Sequence, residues 1–142
     1  MFAEEQKHWF FAAKRMFVTA LLRNVRFKDD PLIFDAGCGT GANHLFLQHY
    51  GRVISTDLSK DALDFCCHRA LRGLVRSNLN LMSFKTEAFD MIAALDVLYH
   101  AWVTDDLALL REFYRILKPG GKLIIDINGP EAGFRTKGKF IS

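Results

Sequence analysis

The sequence lacks the features that mark several protein classes. In 142 residues no apolar run approaches the roughly 20 needed to cross a bilayer, which predicts that no membrane is a partner. The three cysteines are an odd set without framework spacing, which argues against a disulfide scaffold and favours the reducing cytoplasm. The N-terminus has neither the basic nor the apolar region of a secretory signal.

Repeats, low-complexity segments and flexible linkers are also absent from the sequence, so we expect a single domain over 1–142. Half of the residues are hydrophobic and a quarter are charged, with a net charge of +3, which is an ordinary composition for a packed domain. We divide this domain into an N-terminal helical segment (1–28), a core (29–128) and a C-terminal tail (129–142).

Apolar runs and amphipathic stretches alternate along the chain, and in parallel sheets they correspond to strands and helices. The predicted helices are 3–24, 42–50, 60–72 and 105–117, and the predicted strands are 32–36, 52–56, 74–76, 89–95 and 122–127. This alternation is typical of βαβ units and predicts an α/β fold, a doubly wound and mostly parallel sheet in three αβα layers. In such sheets ligands bind beyond the carboxyl ends of the strands.

A glycine-rich segment, Asp35–Gly41, lies between the first predicted strand and its helix. Glycines let the chain turn sharply and bring backbone N–H groups close to a ligand. We therefore expect a charged or nucleotide-like ligand at this turn. His44, in the helix that follows, is expected only to line the pocket.

Two interpretations of this ligand compete. The spacing of Gly37, Gly39 and Ala42 fits the loose dinucleotide fingerprint, with Asp57 after the second strand for a ribose hydroxyl. The alternative is S-adenosylmethionine (SAM). The carboxylate of Asp35 favours it, since a carboxylate suits an ammonium group and would sit badly beside a pyrophosphate.

Several segments, in order and at consistent spacing, carry a resemblance to one family. Phe34–Gly41 resembles the nucleotide-binding first motif of the class I SAM-dependent methyltransferases, and further similar segments follow it. They are Asp57, Leu81–Phe84 with Ala88–Asp90, Ala94–His100 and Leu117–Leu123. The likeness is to small-molecule members of methyltransferase types 11 and 12. It implies a Rossmann-like sheet, with SAM as cofactor and S-adenosylhomocysteine (SAH) as product.

The resemblance also implies which residues hold the cofactor. Asp35 would face its methionine portion, Asp57 its ribose and Asn78 its adenine, although the family usually has Asp where this chain has Asn78. The full implied set is Asp35, Ala36, Gly37, Cys38, Gly39, Gly41, Asp57, Leu58, Asn78, Leu79 and Asp96. Helix 3–24 would help to cover the cofactor, with Trp9, Phe10 or Arg15 near it, or else would simply pack on the sheet.

The chemistry of SAM makes few demands on the sequence. Its sulfonium makes the methyl group electrophilic, so the protein has to hold the acceptor in line with the methyl carbon and sulfur and keep water out. A general base is needed only if the acceptor loses a proton. His100 is our first choice for that base and Tyr99 the next, because both follow the fourth strand. No metal site is predicted.

The class of the methyl acceptor can be narrowed by a motif that the sequence lacks. The Asn/Asp-Pro-Pro-Tyr/Phe motif of enzymes that methylate amino groups of nucleic acids is missing, since Asp96–Tyr99 reads Asp-Val-Leu-Tyr. This disfavours a nucleic-acid partner and predicts a small-molecule methyl acceptor.

The last part of the chain is short for this family, whose full fold has seven strands. Only 133–142 remain to supply one short strand, so we expect a sheet truncated after the fifth strand. The fifth strand would then be an exposed apolar edge, through which a homodimer could form. The alternative function is therefore a SAM-binding domain or fragment that is catalytically incompetent alone.

Overall fold

The computed structural model describes residues 2–37, 41–95, 106–126 and 138–141. The helices are α1 (Phe2–Leu22), α2 (Ala42–Leu47), α3 (Lys60–His68) and α4 (Asp106–Ile116), with a short 3₁₀ turn at Leu79–Leu81. The strands are β1 (Leu32–Ala36), β2 (Arg52–Asp57), β3 (Leu74–Arg76), β4 (Phe89–Leu95), β5 (Leu117–Asp126) and β6 (Gly138–Ile141). Among the described residues, no helix is both long and apolar enough to cross a bilayer.

The strands form one sheet in the order β3-β2-β1-β4-β5-β6. The first five strands run parallel, and β6 pairs with β5 in the antiparallel sense. The strand order reverses between β1 and β4, and ligands bind at such a switch point in open α/β sheets. The predicted doubly wound, mostly parallel sheet is confirmed.

The core has two halves, one on each face of the sheet. On one face Phe34 contacts Phe84 and Phe89 edge to face, each with 5.1 Å between ring centroids, and Phe113 of α4 closes over them. On the other face, α1 and α2 pack against the alternate residues of β1 and β4, which include Ile33. Because side chains alternate along a strand, Asp35 lies on the α1 and α2 face.

The C-terminal end of α3 differs from the prediction, and the connection to β3 is correspondingly longer. The helix ends at His68, before the predicted end at residue 72. Ala70 has a φ of 60° and Gly73 a φ of 74°, so the chain leaves the right-handed helical region twice within four residues. A Cβ on Gly73 would lie 2.5 Å from the carbonyl oxygen of Val53, which explains why glycine stands at this close approach of two strands.

The beginning of β5 is irregular. Leu117 pairs with Phe89 and Lys122 with Met91, so the four residues between Leu117 and Lys122 bulge out opposite Asp90. The predicted strand begins only at Lys122, whereas the structure includes these four residues in one long strand.

The prediction of an exposed β5 edge is wrong for residues Leu123–Asp126. Their backbone pairs with β6, so the chain supplies its own neighbouring strand there. This sixth strand is the one short strand that the sequence allowed for residues 133–142. The homodimer was inferred from an open edge, and this pairing removes that basis over the four paired residues.

Candidate functional site at the carboxyl ends of the first three strands

Two glycines shape the turn after β1. Gly37 has a φ of 84°, and its backbone N–H donates a hydrogen bond to the carbonyl of Thr56 at 3.0 Å. That N–H is thus used between the ends of two strands. Gly41 precedes α2 with a φ of 86°, and a Cβ there would lie 2.6 Å from Cδ1 of Leu71 and 3.0 Å from Sγ of Cys66. Gly41 therefore allows α2 to begin in close contact with the neighbouring residues.

A buried chain of three polar side chains lies beneath this turn. Oγ of Ser55 donates a hydrogen bond to Oδ2 of Asp35 at 2.8 Å and lies 2.6 Å from Nδ1 of His44. All three residues are fully buried. Among the described residues, Oδ1 of Asp35 and Nε2 of His44 have no hydrogen-bond partner. Each end of the chain therefore has a polar atom that is ready for a further contact.

Burial controls the protonation of Asp35 and His44. Burial raises the pKa of Asp35 to about 7, the hydrogen bond from Ser55 opposes the rise and the negative charge of Asp57 adds to it. Burial lowers the pKa of His44. Near neutral pH the imidazole is therefore uncharged, while the Asp35 carboxyl titrates. A cationic group beside Asp35 would favour its ionised form.

Asp57 lies at the end of β2, two residues after Ser55, which is the residue that pairs with Asp35 in the sheet. Its Oδ1 accepts a hydrogen bond from the backbone N–H of Ser59 at 2.9 Å, and Oγ of Ser59 in turn accepts one from the N–H of Ala62 at 3.2 Å. The N-terminus of α3 thereby fixes the carboxylate. Leu58, the next residue, has a 43% exposed side chain, and its carbonyl accepts a hydrogen bond from Nε of Arg76 at 3.0 Å.

Asn78 and Leu79 follow β3, on the far side of β2 from β1. The carbonyl of Asn78 accepts a hydrogen bond from the N–H of Leu81 at 2.9 Å, which opens the 3₁₀ turn. The Leu79 side chain is buried in the core with Phe34 and Phe89. Any contact that Leu79 makes with a ligand would therefore come from its backbone.

The structure brings Asp35, Ala36, Gly37, Gly41, Asp57, Leu58, Asn78 and Leu79 to one edge of the sheet. Ala36 is fully buried in the core, and Arg15 on α1 is exposed. The predictions for Cys38, Gly39, Asp96, Tyr99 and His100 lie outside the described residues, as do the side chains of Trp9 and Phe10.

Ser55 was not among the residues predicted from sequence, and His44 was predicted only to line the pocket. One signal was available for Ser55. Val53, Ser55 and Asp57 alternate on β2, so the polar side chain at the middle position had to lie on the same face as Asp57. The contact with His44 has no such signal, because it depends on how α2 packs against the sheet.

Comparison with known proteins agrees with this fold. A family model described as "Methyltransferase domain" matches residues 34–125, which is more than half of the chain. A parallel sheet with acidic residues at the ends of β1 and β2 is the framework of a Rossmann-like nucleotide-binding domain. The family match makes the class specific, and the chain belongs to the methyltransferase domain family.

Individual relatives have related names. The chain is 32% identical over 99 residues to the probable tRNA methyltransferase 9B of Homo sapiens, covering 69% of this chain and 21% of that protein. It is 30% identical over 112 residues to phosphoethanolamine N-methyltransferase 1 of Arabidopsis thaliana, covering 73% and 22%. The chain thus spans about a fifth of the length of these curated relatives.

Solved structures share the fold. An S-adenosylmethionine dependent methyltransferase from Mesorhizobium loti has a TM-score of 0.65 and 24% identity. The alignment covers 78% of this chain and 53% of that one.

Proposed function

We propose that this chain binds SAM at the carboxyl ends of β1, β2 and β3 and transfers the methyl group to an acceptor. The observation that carries the proposal is Oδ1 of Asp35, a buried carboxylate oxygen without a hydrogen-bond partner among the described residues. A buried polar atom of this kind is costly unless it is satisfied. The ammonium group of the methionine portion of SAM would satisfy it.

The remaining residues of the site fit the other parts of the cofactor. Asp57 is a carboxylate fixed by Ser59, and a carboxylate can accept hydrogen bonds from both hydroxyls of a ribose. Asn78 carries an amide with both donors and acceptors, which suits the edge of an adenine. The order of Asp35, Asp57 and Asn78 across β1, β2 and β3 follows the order of methionine, ribose and adenine in the cofactor.

When bound, SAM supplies an electrophilic methyl group on a sulfonium. The role of the chain is then to orient the cofactor, to hold an acceptor in line with it and to exclude water. Asp35 would fix the methionine portion of the cofactor and Asp57 its ribose, on either side of the sulfur. We keep His100, followed by Tyr99, as the proposed base for an acceptor that must lose a proton. Cys38, Gly39 and Asp96 complete the proposed site.

We propose a small molecule as the acceptor, on the residues Asp96–Tyr99, which differ from the motif of nucleic-acid amino methyltransferases. A tRNA nucleoside is the second candidate, because the names of relatives include tRNA methyltransferases as well as phosphoethanolamine methyltransferases. A cofactor-binding domain that is inactive alone is the alternative to both.

Calorimetric titration with SAH, with NAD as the control ligand, tests the cofactor. We expect SAH to bind and NAD not to bind. Binding of NAD alone would contradict the proposal and favour the dinucleotide interpretation of the glycine turn. Transfer of a radiolabelled methyl group from SAM to phosphoethanolamine and, separately, to unmodified tRNA then distinguishes the two acceptor classes. SAH binding without transfer to either would favour the cofactor-binding domain.

A further inference from the structure

The hydrogens of the Asp35–Ser55–His44 chain can be counted, and for an ionised Asp35 the count fixes the direction of both hydrogen bonds. A serine hydroxyl has one hydrogen to donate. Ser55 donates it to Asp35, so its oxygen has to accept at 2.6 Å, and Nδ1 of His44 must carry the hydrogen. With an ionised Asp35, the chain therefore runs from His44 through Ser55 to the carboxylate, and Nε2 of the neutral imidazole carries no proton.

Protonation of Asp35 would reverse the direction of both hydrogen bonds. A carboxylic acid donates to Oγ of Ser55, which then donates its own hydrogen to Nδ1 of His44. The imidazole stays neutral but carries its proton on Nε2. The three side chains thus have two complete hydrogen-bond arrangements that differ by one proton, and the tautomer of His44 records which one is present.

We propose that Ser55 and His44 are positioning residues that favour the ionised form of the Asp35 carboxyl, which is the form that binds the ammonium group of the cofactor. Reversal of the chain then couples cofactor binding to the release of one proton. This inference rests on the proposed SAM site, and it assigns to that site two residues outside its sequence motifs. SAM would not contact either residue, since both act through Asp35.

Charged groups around Asp35 set the conditions for this coupling. In the sheet, Asp35 lies between Ser55 on β2 and Ala93 on β4, and Ala93 carries no charge. Among the described residues, the nearby acidic group is Asp57, which disfavours ionisation of Asp35. The helices on this face contribute the neutral His44 from α2 and the buried Lys14 from α1, one turn before Val18. Desolvation and Asp57 oppose ionisation, and the hydrogen bond from Ser55 favours it.

The test measures SAH affinity between about pH 6 and about pH 9 for the full chain and for Ser55→Ala. Loss of one hydrogen bond to a charged group is enough to weaken the acid about ten-fold. At pH 7 this lowers the ionised fraction, and hence the affinity, roughly five-fold, and near pH 9 the difference almost vanishes. Variant and wild type are compared at the same pH, so titration of the ligand's own amino group cancels. An exposed serine, Ser83→Ala, is the matched control.

His44 is tested by a pair of variants. His44→Leu removes the donor to Ser55 and should lower the affinity in the same pH range as Ser55→Ala. His44→Asn keeps an N–H near the position of Nδ1 and should restore most of it. His49→Asn is the control, because His49 is exposed and takes no part in the Asp35–Ser55–His44 hydrogen bonds.

Nitrogen-15 NMR of the imidazoles follows the reversal directly in the free protein. The signal of His44 is assigned by its absence from His44→Asn. We expect the Nδ1–H tautomer above about pH 7, the Nε2–H tautomer below it, and the Nδ1–H tautomer at both extremes when SAH is bound.

The outcomes separate the inference from the proposed function. SAH affinity that rises through neutral pH, with the profile of Ser55→Ala displaced to higher pH, supports the coupling. A loss of SAH affinity in Ser55→Ala that is equal at every pH would overturn the coupling and leave SAM as the cofactor. A His44 tautomer that never changes with pH would do the same. No SAH binding by the wild-type chain at any pH overturns the proposed cofactor and the coupling together.

Discussion

The carboxylate of Asp90 accepts a hydrogen bond from the backbone N–H of Leu32 at 2.8 Å, and so joins the start of β4 to the start of β1. Lys118, at the bulge of β5, and Lys28 also approach this carboxylate, at 3.4 and 3.5 Å. Desolvation acts to raise the pKa of Asp90, but the Leu32 N–H and the two lysines outweigh it and lower the pKa. Asp90 therefore fastens the central strands at the edge opposite the candidate site.

Replacement of this carboxylate should lower stability without changing the cofactor site. We expect Asp90→Ala to reduce the free energy of unfolding by roughly 1–3 kcal/mol, because it leaves a backbone N–H without its charged acceptor. Urea denaturation measures this change, and calorimetry should find SAH affinity unaltered. Asp29→Ala, an exposed carboxylate, is the control. Equal stability of Asp90→Ala and Asp29→Ala would contradict the fastening role.

Gly41 and Gly120 offer a comparison of backbone strain with packing. Both have positive φ, 86° and 79°, but a Cβ on Gly41 meets Leu71 and Cys66, whereas nothing lies within 4 Å of one on Gly120. We expect Gly120→Ala to cost roughly 1 kcal/mol from its backbone conformation alone. Gly41→Ala should cost about 1–3 kcal/mol more, because it also overpacks the start of α2. Equal losses in thermal denaturation would show that the contact with Leu71 yields without cost.

Asp57→Ala should weaken SAH binding by roughly 1.5–3 kcal/mol, the range for hydrogen bonds to a charged group. Calorimetry measures the change, and an unaltered dissociation constant would contradict the ribose assignment. Because Asp57 also accepts from Ser59, the circular dichroism of the variant has to be compared with that of Ser59→Ala. That control perturbs the same helix start through a residue that is not proposed to bind the cofactor.

Asp35→Asn should separate stability from cofactor binding. The pKa of Asp35 in the folded chain, about 7, lies above its ordinary value of 3.8, so the folded state holds the proton more tightly. The stability contributed by neutral Asp35 is therefore fully present below about pH 4 and is lost as the pH rises through about 7, a change on the order of 4 kcal/mol. Asn stays neutral, so the variant should gain stability relative to wild type between these pH values.

Urea denaturation at about pH 5 and about pH 8 checks this gain, and calorimetry should show loss of SAH affinity in the same variant. A stability difference that is the same at both pH values would mean that the Asp35 carboxyl does not titrate in this range.

His100→Ala should leave SAH affinity nearly unchanged while lowering methyl transfer, because a general base acts on the acceptor and not on the cofactor. Single-turnover transfer from SAM measures the effect. Tyr99→Phe is the companion variant, which retains the ring and removes the hydroxyl. Equal turnover in His100→Ala and wild type would eliminate His100 as the base.

The bounds of three strands could be predicted from sequence. The bounds of β1, β3 and β4 match the prediction, because each is a short apolar run set off by glycine or polar residues. The end of α3 could not be predicted, because Ala70 adopts a positive φ that nothing in its residue type indicates. The edge of β5 was misjudged because pairing with Gly138–Ile141 is a tertiary choice for a segment with little local pattern.

The candidate site likewise has residues that could be predicted from sequence and residues that could not. Asp35 and Asp57 follow predicted strands and belong to motifs, so their position at one edge of the sheet could be expected. The Ser55–His44 contact joins a strand to a helix through side chains that are fully buried. A histidine in a short helix carries no mark of a buried partner, and only the packing of α2 reveals it.

The position of the three-residue chain also bears on the order of folding. Asp35 and Ser55 are 20 residues apart, whereas Leu32 and Asp90, which join β1 to β4, are 58 apart. Contacts between residues close in sequence require less loop-closure entropy and form faster. We therefore expect the β1–α2–β2 unit to assemble its buried polar contacts before β4 docks. The nascent unit would then present β1 as a template for β4, with half of the cofactor site already in place.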